Sequence, residues 1–121
     1  MKRDLNLIRE LLLWAETHCV GRTIASTQIK LENYSNQQII YHILLLQDAG
    51  FIDYGISRSV NNNKNPHFSR LTNSGHDFLD SIRQDTIFDQ VKQKLAEGAN
   101  SVALEVVKSL AIKLCYTALG I

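Results

Sequence analysis

The sequence predicts an α+β, mostly helical fold: amphipathic helices around a β-hairpin, closed by two C-terminal helices, in a chain of 121 residues. Two observations predict it. Apolar residues recur at the three-to-four spacing of a helix in four separate stretches, and one stretch rich in β-branched and aromatic residues is interrupted by an Asn-rich run ending in the chain's single proline. At 45% hydrophobic and 21% charged, the chain can build one real core, and nothing in its length requires a second independent domain.

The first helix is read over residues 4 to 18. Leu5, Ile8, Leu11, Leu12 and Ala15 form one stripe, Arg9, Glu10 and Glu16 lie between them, and Asp4 is the expected N-cap. "VGRTIASTQIKLENY" (20 to 34) opens on a glycine, is rich in Thr and Ile, and alternates imperfectly. It suits a short strand or irregular segment better than a helix, and segment 22–32 stays open between helix and strand. Ser35 caps a helix expected to end at Gly50, a residue suited to the left-handed turn after a helix.

"FIDYGISRSV" then reads as a strand, "NNNKNP" as a hairpin tip, and "HFSRL" as the returning strand, with strands expected at about 51–58 and 67–71. Helix, strand, polar tip, strand is the arrangement of a winged helix-turn-helix domain. That core is expected over residues 1–72. Residues 73–121 are expected to form a helical extension that packs on it and oligomerises. There Thr72 is an N-cap, and Phe78, Leu79, Ile82, Ile87, Phe88, Val91 and Leu95 carry one helix to about Glu97. The final helix is read from Ser101 to about Leu119, with "SVALE" resembling a capping box shifted by one residue.

The net charge is only +1, which supplies no general attraction to nucleic acid or to an anionic membrane, so any nucleic-acid contact must be local. The run Leu11 to Trp14 is far too short for a signal or membrane segment, and a cytoplasmic location is expected. Cys19 and Cys115 have no CxxC spacing and read as small buried hydrophobes in a reducing compartment.

On a helical wheel, Ile39, Ile40, Ile43, Leu44 and Leu46 fall on one side of the 35–49 helix. Gln37, Gln38, Tyr41, Leu45 and Asp48 face out, with His42 at the border. Asn36, Gln37, Gln38, Tyr41 and His42 are the candidate DNA-reading residues, because Asn and Gln amides can pair with the N6 and N7 edge of adenine. The same face also reads as an ordinary polar surface, since Ser35 to Ala49 holds no Lys or Arg.

Positive charge is expected instead on the hairpin, from Arg58, Lys64, His67 and Arg70; residues 51 to 76 carry a local +2, with His67 and His76 in addition. Such cations either follow DNA phosphates or guard a solvated strand edge. His76, Asp77 and Asp80 share a helix start but have no third ligand at a diagnostic spacing, and a hydrogen-bonded His76 is the simpler reading. No GxSxG, phosphate-cradling glycine loop or nucleophile beside a base is present, so neither an enzyme nor a metal or other cofactor is expected.

The last helix is apolar over more than half its circumference, through Leu104, Val106, Val107, Leu110, Ala111, Leu114, Cys115 and Ala118. It either folds back over the first helix or is shared with a second subunit. Val106, Val107, Leu110 and Leu114 are the candidate homodimer interface.

"LLLQDAGFID" followed by "RLTNSGHDFL" resembles the winged helix-turn-helix pattern, with Leu-x-x-x-Gly-Phe closing the recognition helix and Leu-Thr-x-x-Gly ending a strand. The chain as a whole is similar to a family of short bacterial and prophage proteins, domain of unknown function 2513. The likeness lies in Met1 to Asp4, Tyr41 and His42, Ala49 and Gly50, Leu71 to Phe88, and Val102 to Leu114. It implies a winged-helix fold, a phage or mobile-element setting and no established activity. One departure stands out: an ordinary winged helix has a further helix before the recognition helix, and Arg22 to Glu32 does not look helical. The expected function is a non-enzymatic transcriptional regulator that binds double-stranded DNA. The alternative is an adaptor holding a phage or host protein through Tyr41, Leu45 and the last helix.

Overall fold

The computed structural model describes residues 2–19, 24–53, 67–98 and 103–120. Within them lie five α-helices: α1 (Leu5–His18), α2 (Asn36–Asp48), α3 (Asn73–Ile82), α4 (Asp85–Gly98) and α5 (Leu104–Leu119). Four short strands accompany them: β1 (Ile24–Ala25), β2 (Ile52–Asp53), β3 (His67–Phe68) and β4 (Arg70–Leu71). The fold is α+β and mostly helical, as the periodicity predicts. It divides into two compact units, Met1–Gly75 and His76–Ile121.

The helix starts in the first unit follow local capping chemistry. The Asp4 carboxylate accepts the amide N–H groups of Asn6 at 2.9 Å and Leu7 at 3.3 Å, closing the open donors at the start of α1. Ser35 and Gln38 form a complete capping box on α2. Gln38 N donates to Ser35 Oγ at 3.1 Å, and Ser35 N donates to Gln38 Oε1 at 2.9 Å. α2 ends in a Schellman turn, in which Gly50 takes φ +80° while Phe51 N donates to Leu46 O at 2.9 Å and Gly50 N to Gln47 O at 3.0 Å.

Segment 24–28, left open between strand and helix, is a strand followed by one 3-10 turn over Ser26–Gln28. β1 pairs antiparallel with β3, and β2 with β4, in the register Ile52↔Leu71 and Asp53↔Arg70. The run 67–71 therefore pairs twice, first with β1 and then with β2, and Ser69 N donates to Asp53 O between the two. Of the expected strand 51–58, residues 52–53 are strand, and 54–58 lie outside the described residues together with the expected tip 61–66.

α1 and α2 pack together and α1 also meets β4, so the core of this unit is built from Leu7, Ile8, Leu11, Leu12, Ile39, Ile43, Leu46, Phe51 and Leu71, all buried. Burying each such side chain contributes roughly 1.5–3 kcal/mol.

The expected single helix over 72–97 is instead two, α3 and α4, parted at Arg83 and Gln84. The apolar pattern explains the break. At about 100° per residue, Phe78, Leu79 and Ile82 cluster on one side of a continuous wheel, and Ile87, Phe88, Val91 and Leu95 about 180° away. A straight helix could bury only one group. With the chain broken between them, Phe78, Leu79, Ile82, Ile87, Phe88 and Val91 are all buried. Three helices thus follow the hairpin, where two were expected. α4 packs against α5, which buries Leu104, Val107 and Ala111. The N-cap of α5 is Ala103, with no side-chain hydrogen bond, and Ser101 of the expected capping box in "SVALE" lies outside the described residues.

Candidate functional site

The exposed face of α2 is the first candidate surface, and its composition follows from how the helix is anchored. Gln37, Tyr41, Leu44 and Asp48 recur every three or four residues and are all exposed, Tyr41 to 39% and Leu44 to 41%. Asn36 joins them at the N-terminal end. Leu44 was expected inside and Leu45 outside; Leu45 is half-buried and Leu44 takes the outer position. The cause is Gln47. Its side chain is buried, and Nε2 donates to the carbonyl of His67 at 2.8 Å, drawing the core-facing arc of the helix toward β3. Its spacing of four from Ile43 was the available signal, masked by the polarity of an amide.

Gln38 is half-buried, and its Oε1 is committed to the capping box, so its amide is a cap before it is a reader. His42 is 1% exposed and sits within the fold. The Asp4 amide can only donate, so His42 Nε2 accepts from it at 2.8 Å, and Nδ1 carries the proton and donates to Gln38 O at 2.8 Å. The ring thus links α2 to the residue that caps α1. Both ring nitrogens are used, and this pairing across 38 residues had no signature in the sequence.

The hairpin is the second candidate surface. Arg58 and Lys64 lie outside the described residues. His67 is half-buried in β3, where its carbonyl receives the Gln47 amide. Arg70 faces its registered partner: Nη2 lies 3.3 Å from Asp53 Oδ2, and Nη1 donates to Leu71 O at 3.2 Å. The two side chains are 57% and 48% exposed, so the pair is solvent-screened and contributes at most about 1 kcal/mol.

α2, β2, β4 and the start of α3 meet at one junction. Thr72 Oγ1 donates to Gly50 O at 2.6 Å and accepts from Gly75 N at 3.0 Å, while Thr72 N donates to Phe51 O at 3.0 Å. A Cβ at Gly75 would overlap the Phe51 carbonyl, so only glycine lets α3 begin this close to the end of α2. "LTNSG" is therefore a geometric device joining the strand and two helices.

In the second unit, the candidate interface residues separate. Val107 is buried. Val106 is 51% exposed, and Leu110 and Leu114 are half-buried. A cleft of about 300 Å³ is lined by Asp80, Arg83, Ile87, Cys115, Ala118 and Leu119. Cys115 Sγ donates to Ser81 O at 3.3 Å, and burial pushes its thiol pKa up. Cys19 is likewise pushed up by burial, to about 11, so neither environment favours the nucleophilic thiolate. Asp80 pairs with Arg83 at 2.9 Å, His76 is exposed, and among the described residues no three His, Cys, Asp or Glu side chains converge on a common point. Among them, too, no helix is long and apolar enough to cross a membrane.

Comparison with known proteins adds kinship without a described activity. A protein of Haemophilus influenzae named "Uncharacterized protein" is 32% identical over 111 residues, which cover 92% of this chain and 92% of its own. No solved structure matches. The family described as "Hypothetical protein (DUF2513)" matches residues 2–101, spanning both compact units, and the chain belongs to that family.

Proposed function

We propose that the first unit is a winged-helix domain that binds double-stranded DNA as a non-enzymatic regulator. The observation that carries this reading is the order of elements. A helix, a short strand, a turn, a capped helix and three short strands follow one another, and the run 67–71, holding the last two of them, pairs antiparallel with both earlier strands. The turn Ser26–Gln28 stands where a further helix ordinarily lies. In this reading Asn36, Gln37 and Tyr41 meet base edges, and Arg70, with Arg58 and Lys64, meets phosphates.

A second copy meeting the strip Val106, Leu110 and Leu114 on α5 would present two such units to adjacent half-sites. The test is fluorescence anisotropy of labelled duplexes across a salt titration, with the oligomeric mass measured alongside. Arg70→Ala is expected to flatten the salt slope by about one at every sequence, and Gln37→Ala to change preference between sequences. No binding at low salt defeats the reading.

One observation favours a second reading. Tyr41 and Leu44 stand side by side on the exposed face of α2, near an acid, Asp48, on a helix that holds no Lys or Arg. Such a face suits a protein partner better than DNA. Leu44→Asp discriminates: it abolishes recovery of partner proteins if α2 is an adaptor surface, and equal recovery by both forms removes the adaptor reading.

A further inference from the structure

We infer that His42 is an acid-sensitive latch: its unprotonated ring holds the start of α1 against α2, and a proton on Nε2 releases that start while the ring stays on its own helix. Two features carry this. The ring is buried, at 1% exposed, and its nitrogens are engaged by backbone groups of opposite kind. Nδ1 donates to the carbonyl of Gln38, four residues back on α2, and Nε2 accepts from the amide of Asp4, 38 residues away.

A backbone amide can only donate. A proton on Nε2 therefore replaces that hydrogen bond with two N–H groups aimed at each other across 2.8 Å, whereas the bond to Gln38 keeps its donor in either state. Of the two bonds, the one that acid breaks is the one that joins α2 to the start of α1. Asp4 is the N-cap of α1, with Oδ1 accepting from the amides of Asn6 and Leu7, so the group let go belongs to the first turn of that helix. The bond is thus made while the ring is unprotonated and lost as the ring takes a second proton in mild acid. His42 also adjoins Tyr41 in the chain, so the latch couples acid to the flank of the outer face of α2, whichever partner that face meets.

The charges around the ring are of both signs. On α2 the Tyr41 ring stands edge-on with its centroid 5.8 Å away, and Asp48 lies nearly two turns beyond. At the start of α1 the Asp4 carboxylate adjoins Arg3 and Lys2 in the chain, and Tyr34 lies within electrostatic reach of Asp4 and Glu10. Further along, α1 buries Leu7, Ile8 and Leu11, while Glu10 and Glu16 are exposed and Arg9 is half-buried. The turn Ser26–Gln28 holds no ionisable side chain, and Asp53 of β2 is paired with Arg70.

NMR of the full chain from about pH 7.5 to about pH 5.5 tests the latch. At the upper end, nitrogen-15 correlations are expected to show Nδ1 protonated and Nε2 bare. As the ring gains its second proton, the Asp4 amide is expected to lose its hydrogen-bonded shift, and its solvent exchange, corrected for intrinsic pH dependence, to rise by up to about tenfold per pH unit, the limit for one proton. The amides of Ala15 and Leu46 are expected to hold. His42→Gln keeps an acceptor oxygen and cannot be protonated, so it is expected to abolish the Asp4 response, and His76→Gln, at an exposed histidine of the second unit, to preserve it. A proton on Nε2 at the upper pH, a ring still unprotonated at the lower, an Asp4 amide indifferent to the ring, or the same response in His42→Gln each overturns the inference. If His42→Gln fails to fold, the wild-type ring and amide titrations decide by themselves.

Discussion

At its N-terminal end α2 is fastened by the polar contacts of the Ser35–Gln38 capping box and of the His42 ring on Asp4, beside the buried Ile39. At its C-terminal end it runs into a junction where Thr72 bonds to Gly50, Phe51 and Gly75 and where the buried Phe51 and Gly75 meet backbone to backbone. The polar end leaves Asn36, Gln37 and Tyr41 facing outward; the junction leaves no room for a side chain at Gly75 against the Phe51 carbonyl. A helix meant to present one half of its surface needs the other half immobile. The difference between the two ends shows how one short helix meets both demands.

Substitutions at the junction should therefore cost most. Gly75→Ala puts a methyl group against the Phe51 carbonyl and is expected to destabilise the protein by about 3 kcal/mol despite the better helix propensity of alanine. Urea unfolding measures it, and a variant as stable as wild type would show that α3 can start elsewhere. His42→Ala removes a buried ring and strands the Asp4 amide, for about 2 kcal/mol. Ser35→Ala breaks one half of the capping box and should cost about 1 kcal/mol, visible as faster amide exchange at Gln38. Arg70→Ala removes only a screened pair and is expected to change stability by less than about 0.5 kcal/mol while altering any DNA salt dependence. A large stability loss there, or a negligible one at Gly75, would reverse the contrast between presented surface and rigid joint.

The caps at Asp4, Ser35 and Thr72 were legible because each depends on a side chain and amides two or three residues away. The break between α3 and α4 was also written in the sequence, in the change of phase between Ile82 and Ile87, but a count of apolar residues passes over phase. The inward turn of His42 and Gln47 was not legible, since each is a polar side chain whose partner, Asp4 or His67, is distant in the chain. The wheel alone then misplaces Leu44 and Leu45, because the direction of the core is set by those distant partners. Of the candidate site, Asn36, Gln37 and Tyr41 lie together on the exposed face, and Arg70 is exposed on β4.

The double pairing of residues 67–71 has a consequence for how such a protein can change. Asp53 is matched to Arg70 and Ile52 to Leu71, and Thr72 is tied to Gly50 and Phe51, so the residues on the two sides of the connection between 53 and 67 are held together. Lengthening the connection between residues 53 and 67 costs little closure entropy, about 0.6 kcal/mol for each doubling, because the ends are already held together. An insertion between residues 53 and 67 is thus expected to leave the strand pairing and the buried side chains of Phe51, Ile52 and Leu71 on either side of it unchanged.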